Sequence, residues 1–280
     1  MEMATAKIKA IAPWFGGNRM LAEEAGKLLA GCEWIGVPFA GGMSELAHFT
    51  ARTILVNDLH FHVINLAMTA GDPVLGPQLY RRLRRKLFHQ DELQAAQRAC
   101  IDWPQGIDEM PDIDLAEAYF VSQWMGRSGL AGTKDEFKGN LPIRWSAGGG
   151  DSAVRYRSAV QSLLAWRRVL QRCNFTCLDG FAFLAKAKDA AGHGLYVDAP
   201  WPDDGDGYKH RFTEADQVSL ANVLHRFRHT RVVIRYADHP QIRALYGLDL
   251  HWQWHHLQGR TQSNGAKAEV LITNFAAGDA

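Results

Sequence analysis

Short apolar runs alternate with amphipathic stretches along much of the chain. Residues 34–39 and Thr53-Ile-Leu-Val56 are apolar enough to be strands covered on both faces. Between them lie a glycine turn at Gly41-Gly42 and a helix-compatible stretch carrying Ser44, Leu46, Ala47 and Phe49. Together these predict a βαβ unit. From about residue 71 to 179 the pattern changes to helical stretches with few strand-like runs and a turn-rich segment at 126–150. Within it, a helix over 155–170 is predicted to carry Val160, Leu163, Leu164 and Leu170 on one face.

The strand–helix alternation returns after Gly194. A strand over 195–198 is followed by a helix that Thr213 can cap, with Glu214 and Asp216 in its first turn and Leu220, Ala221, Leu224 and Phe227 as its apolar stripe. Another strand covers 231–236, and segments 251–257 and 269–273 read as a terminal hairpin. The pattern predicts an α/β fold built on an open, mostly parallel sheet with a C-terminal antiparallel hairpin. Residues 1–70 and 180–280 form one domain in this reading, and 71–179 a mainly helical insert.

Composition narrows the classes. A chain of 280 residues with 47% hydrophobic and 22% charged residues is an ordinary globular protein rather than a disordered or fibrous one. A formal net charge of +1 gives no global field for nucleic acid, so any such site is local. Cys32, Cys100, Cys173 and Cys177 form no Cys-x-x-Cys pair, which argues against a disulfide framework or a zinc ribbon. With neither a signal-like apolar run near Met1 nor a stretch of ~18 apolar residues, a soluble, cytoplasmic protein without a membrane segment is expected. The pair His60 and His62 and the group His251, His255 and His256 lack zinc-like spacing, so no metal is expected and structural or surface roles are read for them.

In open parallel sheets, ligands sit beyond the carboxyl ends of strands. Four places there stand out. Pro38, Phe39, Gly41 and Gly42 let backbone approach a ligand closely, and Asp58 can accept hydrogen bonds from ribose hydroxyls. There is no Gly-x-x-x-x-Gly-Lys loop and no complete Gly-x-Gly-x-x-Gly, so a nucleoside without a pyrophosphate is favoured over NAD or ATP. Asp198-Ala-Pro-Trp201 combines a carboxylate, carbonyls in a proline-stiffened turn and an aromatic ring, which suits a flat amino-bearing ring. An ordinary Asp-x-Pro turn gives the same string. The fourth is Trp14-Phe-Gly-Gly-Asn-Arg19, an aromatic and glycine turn before a helix.

The order of these motifs resembles that of the Dam-type DNA adenine methyltransferases, nearly end to end. That family carries Trp-x-Gly-Gly-Lys, Glu-Pro-Phe-x-Gly-x-Gly, an Asp after the second strand, a target-recognition insert and an Asp-Pro-Pro-Tyr tetrad. Segments 120–130 and 262–265 are weaker echoes of its insert and of the loop before its last strand. The resemblance implies a Rossmann-like methyltransferase fold and S-adenosylmethionine as cofactor, held by Trp14, Gly16, Gly17, Asn18, Pro38, Phe39, Gly41, Asp58 and Asp198. It implies double-stranded DNA as partner, with a flipped-out adenine held by Asp198, Ala199, Pro200 and Trp201. Arg81, Arg85, Arg127, Lys134, Lys138 and Arg144 are then candidate DNA contacts, although the run 81–86 also fits a solvated helix face.

This chain departs from the family pattern at Val37 for Glu, Asn18 for Lys, Met43 for a loop glycine, Ala199 for Pro and Trp201 for Tyr. The rival expectations are therefore a decayed or retargeted module that binds DNA or a partner subunit, and methylation of another amino group such as that of cytosine.

Overall fold

The computed structural model describes residues 10–16, 21–103, 110–126, 129–146, 150–202, 207–247, 251–256 and 269–276. The described strands are β1 (Trp34–Val37), β2 (Thr53–Asn57), β3 (Cys173–Thr176), β4 (His193–Val197), β5 (Arg231–Ala237), β6 (Gln253–His256) and β7 (Glu269–Thr273). They form one sheet in the order β3-β2-β1-β4-β5-β7-β6. The pairs β1–β2, β1–β4 and β4–β5 are parallel, whereas β7 runs antiparallel to both β5 and β6. This is the mostly parallel sheet ending in antiparallel strands that the hydrophobic pattern predicts, Rossmann-like as the resemblance implies.

The chain divides into two units, one of Met1–Gly17, Gly41–Ala47 and His60–Cys173, the other of Asn18–Ala40, His48–Leu59 and Asn174–Ala280. In the second, the sheet unit, β4 and β5 are almost wholly buried. Leu195, Val197, Val232, Ile234 and Ile272 pack with Leu220 and Leu224 of α8 (Glu214–Leu224) and with Phe183 and Leu184 of α7 (Gly180–Lys186). Thr213 caps α8 in a full capping box, its side chain accepting from the Asp216 N–H while Asp216 accepts from the Thr213 N–H at 2.7 Å. Two short helices, α1 (Ala22–Leu28) and α9 (Pro240–Leu245), complete this unit. Strand β3 was not anticipated, because a half-buried strand of four residues carries little apolar signal.

Asp189 fixes the turn between α8 and β5. Its carboxylate accepts from the backbone N–H groups of Arg228, His229 and Thr230 at 2.9, 2.8 and 2.8 Å. Burial is the largest single influence and would raise the carboxyl, but these donors together outweigh it and hold the carboxyl below its usual range. A depressed carboxyl stabilises the fold above its unfolded value and ceases to do so as pH falls through the folded one. Asp189→Ala should therefore cost about 1 kcal/mol at pH 7, a typical cap value at a solvated site. The gap from wild type, read by urea titration at several pH values, should close below about pH 4. A gap that persists unchanged there would mean that the charge is not what stabilises the turn.

The other unit is helical: α2 (Phe61–Gly71), α3 (Leu75–Arg85), α4 (Gln90–Asp102), α5 (Ile113–Met125) and α6 (Ser152–Leu170). Helices α2 and α5 are buried nearly all round, so they form the centre against which α3, α4 and α6 pack. Asn65 on α2 anchors the start of α5, donating to the Asp112 carbonyl at 2.8 Å and accepting from the Asp112 N–H at 2.7 Å. Asp112 in turn caps α5 through the Leu115 N–H. On α6 the buried stripe is Tyr156, Ala159, Val160, Leu163, Trp166 and Leu170. Leu164, predicted on that face, is 51% exposed at its margin. The helix expected around residues 44–49 is only a 3₁₀ turn, Ser44–His48, entered through Gly41 and Met43 at positive φ.

Candidate functional site

In the sheet unit the order of strands reverses between β1 and β4. From β1 the chain goes on to β2 on one side, and from β4 to β5 on the other, so the loops leaving their carboxyl ends diverge, the place where open parallel sheets take their ligands. Val37 pairs with Val56 and Gly36 with Leu195, so the loops after β2, β1 and β4 leave the sheet at one level. Asp58 follows β2, Pro38 and Phe39 follow β1, and Asp198 to Trp201 follow β4. Asp58 and Phe39 are half-buried, which leaves each a solvent-facing part. The Phe39 ring lies so close to Gly180 that a Cβ there would collide with it, and it meets Phe212 edge-on at 6.0 Å.

Asn57, fully buried at the end of β2, binds these loops together. Its side-chain N–H groups donate to the carbonyls of Pro38 and Leu178, both at 2.9 Å. Its side-chain oxygen accepts from the Thr176 hydroxyl and the Leu178 N–H, both at 2.8 Å. The amide is thereby saturated.

Around Asp198 the structure adds residues that the motif did not contain. Val197 pairs with Ile234 across β4 and β5, so Asp198 and Arg235 stand side by side. Arg235, with a side chain only 3% exposed, donates to Asp198 at 2.9 Å and to Glu269 at 2.9 and 3.2 Å. Its guanidinium lies 4.8 Å from the centre of the Trp201 ring. Burial pushes the Asp198 carboxyl above its ordinary value against the pull of Arg235. Burial also opposes the Arg235 charge, but Asp198 and Glu269 outweigh it and the guanidinium stays charged. The Pro200 carbonyl accepts from the Gln217 side chain at 2.7 Å, and Gln217 is held by the Tyr236 hydroxyl. Ala199 is buried in the core. The result is a carboxylate at a strand end, flanked by an indole and fixed by a buried guanidinium.

The described cysteines are free, and burial pushes the Cys177 thiol up to about 11 and that of Cys173 up to about 12. Neither is a thiolate nucleophile at neutral pH.

Of the remaining predicted cofactor residues, Trp14, Gly16 and Gly41 belong to the helical unit. Trp14 forms a bridge with Ala131, and its indole fills the space beside Gly41 and Gly132. A Cβ on Gly41, whose φ is +46°, would lie 2.8 Å from the Trp14 indole nitrogen. Trp14 is thus packed into its own unit. Gly16 is exposed at φ 67°. Gly17, Asn18 and the echo at 262–265 lie outside the described residues. Val37, where the family pattern has a charged residue, is fully buried in β1.

Of the candidate DNA contacts, Arg81 and Arg85 lie on the exposed face of α3, beside Arg82, which pairs with Asp114, and Lys86, which pairs with Glu92 and Glu117. Lys134, Lys138 and Arg144 are exposed, Lys138 pairing with Asp135 at 2.8 Å. Arg127 lies outside the described residues. Next to Arg144 stands Trp145, 92% exposed. Sequence reasoning passed over Arg235, Asn57 and Trp145. A charge inside the apolar run Val-Val-Ile-Arg-Tyr was the signal that could have found the first. Among the described residues no helix is long and apolar enough to cross a membrane. No protein-family model matches the chain, and no curated protein matches it in sequence.

Proposed function

We propose that the chain is an S-adenosylmethionine-dependent methyltransferase acting on the exocyclic 6-amino group of adenine in DNA, on a base flipped out of the duplex. One observation carries this reading: Asp198-Ala-Pro-Trp201 sits at the carboxyl end of β4, at the reversal point of a Rossmann-like sheet, with the Phe39 loop at the end of the neighbouring β1. The adenosine half of the cofactor fits the donors there, Asp58 offering a half-buried carboxylate to the ribose and Phe39 an apolar face. For the methionine half, buried Val37 supplies no charged partner.

S-adenosylmethionine, when bound, supplies an electrophilic methyl group on a sulfonium. The chain's own residues act on the amino group. Its lone pair is delocalised into the ring, and accepting its two hydrogens, on the Asp198 carboxylate and the Ala199 carbonyl, favours the pyramidal form that can attack. Trp201 offers a face for the extruded base, offsetting part of the few kcal/mol that flipping costs. Arg235 holds the Asp198 carboxylate in place. Residues 71–179 supply target recognition, with Arg81, Arg85, Lys134, Lys138 and Arg144 as phosphate or base contacts and Trp145 as an exposed aromatic beside them.

A second reading draws on the hold that Arg235 has on Asp198. A carboxylate already paired with a guanidinium is a weaker acceptor, which favours a module that has lost catalysis and binds DNA or a partner subunit. Transfer of labelled methyl to unmethylated duplex DNA, with nucleoside analysis, separates the two. N6-methyladenine supports the first reading and a methylated cytosine moves the substrate. No transfer, together with no calorimetric binding of S-adenosylmethionine, supports the second.

A further inference from the structure

We propose that His60, His62 and Glu136 form a binding site for one divalent transition-metal ion of the zinc class, buried in the helical unit. The three side chains each bring one ligand atom to within 4.8 Å of the others. His60 precedes α2 as its cap residue and His62 stands in its first turn, while Glu136 comes from a turn 76 residues beyond His60. This separation is why spacing along the sequence does not show the set.

The chemistry of the donors points to a cation. A buried carboxylate is costly unless it is paired, and the side chains of His60 and Glu136 are each only 2% exposed. His60 Nε2 lies 2.9 and 2.8 Å from the two Glu136 oxygens, a separation suited to a proton or, with a small expansion, to an ion. His62 Nε2 lies 3.2 Å from the Cys100 carbonyl, which can only accept. That nitrogen therefore carries a hydrogen, which makes Nδ1 the nitrogen through which His62 would take an ion. An imidazole donating one N–H to a carbonyl while offering its other nitrogen is the usual outer support of a metal ligand. The Gly132 N–H orients Glu136 Oε2 in the same way at 3.2 Å. Trp14, Tyr119 and Phe137 surround the group with aromatic rings that keep water away.

Two imidazoles and one carboxylate suit Zn²⁺ at ~2.0–2.2 Å from each donor, and shifts on the order of an ångström would gather them. The ion would join the start of α2 to the turn on which Trp14 rests, a structural role independent of methyl transfer.

The test uses the full chain, stripped with chelator and titrated calorimetrically with Zn²⁺. The expected result is one tight ion per chain, a melting temperature that rises with zinc, and at least a tenfold loss of affinity in His62→Gln and Glu136→Gln. Exchange of the exposed His251 and His256 for Gln should change nothing. Where a variant fails to fold, X-ray absorption at the zinc edge of the wild type decides: a shell of nitrogen and oxygen with two imidazoles supports the site. No tight ion, an ion retained in both variants, or sulfur in its shell would overturn it.

Discussion

Arg235→Leu is expected to lower stability by about 3–5 kcal/mol, the usual effect of removing one partner from a buried ion pair. For a chain of 280 residues that corresponds to a fall of roughly 10 °C in melting temperature. The reason is electrostatic rather than steric. Arg235 stands between Asp198 and Glu269, and leucine would leave two carboxylates without the guanidinium that both contact. Adding Glu269→Gln to Arg235→Leu should restore part of the loss, because one of the two stranded charges is removed. Differential scanning calorimetry of the single and double variants checks this. A single variant within 1 kcal/mol of wild type would show that the pair is not structural.

Asp198→Asn is expected to reduce methyl transfer at least about a hundredfold, on the scale of losing one oriented electrostatic contact in a transition state. Binding of S-adenosylmethionine should change by no more than a few-fold. Asparagine matches the carboxylate in size but loses the charge that stabilises hydrogens growing more acidic as the amino nitrogen attacks. It is a milder change than alanine, since one side-chain oxygen still faces Arg235. The wild type adds a second signature. Burial raises the Asp198 carboxyl, so the acid limb of its rate profile should lie above the ordinary carboxylate range of about 4, transfer being lost as pH falls through it. Equal turnover by Asp198→Asn and wild type would remove Asp198 from the catalytic role and leave the fold assignment untouched.

Strand and helix identity was legible wherever burial imposed a clean period. The runs at β1, β2, β4 and β5 are apolar because both sheet faces are covered, and the Thr213 cap is written in adjacent residues. What local pattern could not carry was pairing across distance. Nothing near Asp198 in the chain announces Arg235, which arrives by strand adjacency 37 residues on, and nothing near His60 announces Glu136. The motif strings located the strand-end loops of the sheet unit, but not the hydrogen bonds already occupying the Pro200 carbonyl and the Asp198 carboxylate. Apolar spacing suits a helix around residues 44–49, but it does not carry the backbone direction set by Met43 at φ 60°, and only a 3₁₀ turn forms at Ser44–His48.

The saturated amide of Asn57 has a consequence for how this mouth can be altered. Because one side chain grips the segments after β1 and β3 from the end of β2, none of the three is an interchangeable part. A loop grafted after β1 would have to present a carbonyl where Pro38 does, and the same loop moved to another scaffold would need an asparagine on the neighbouring strand to hold its shape.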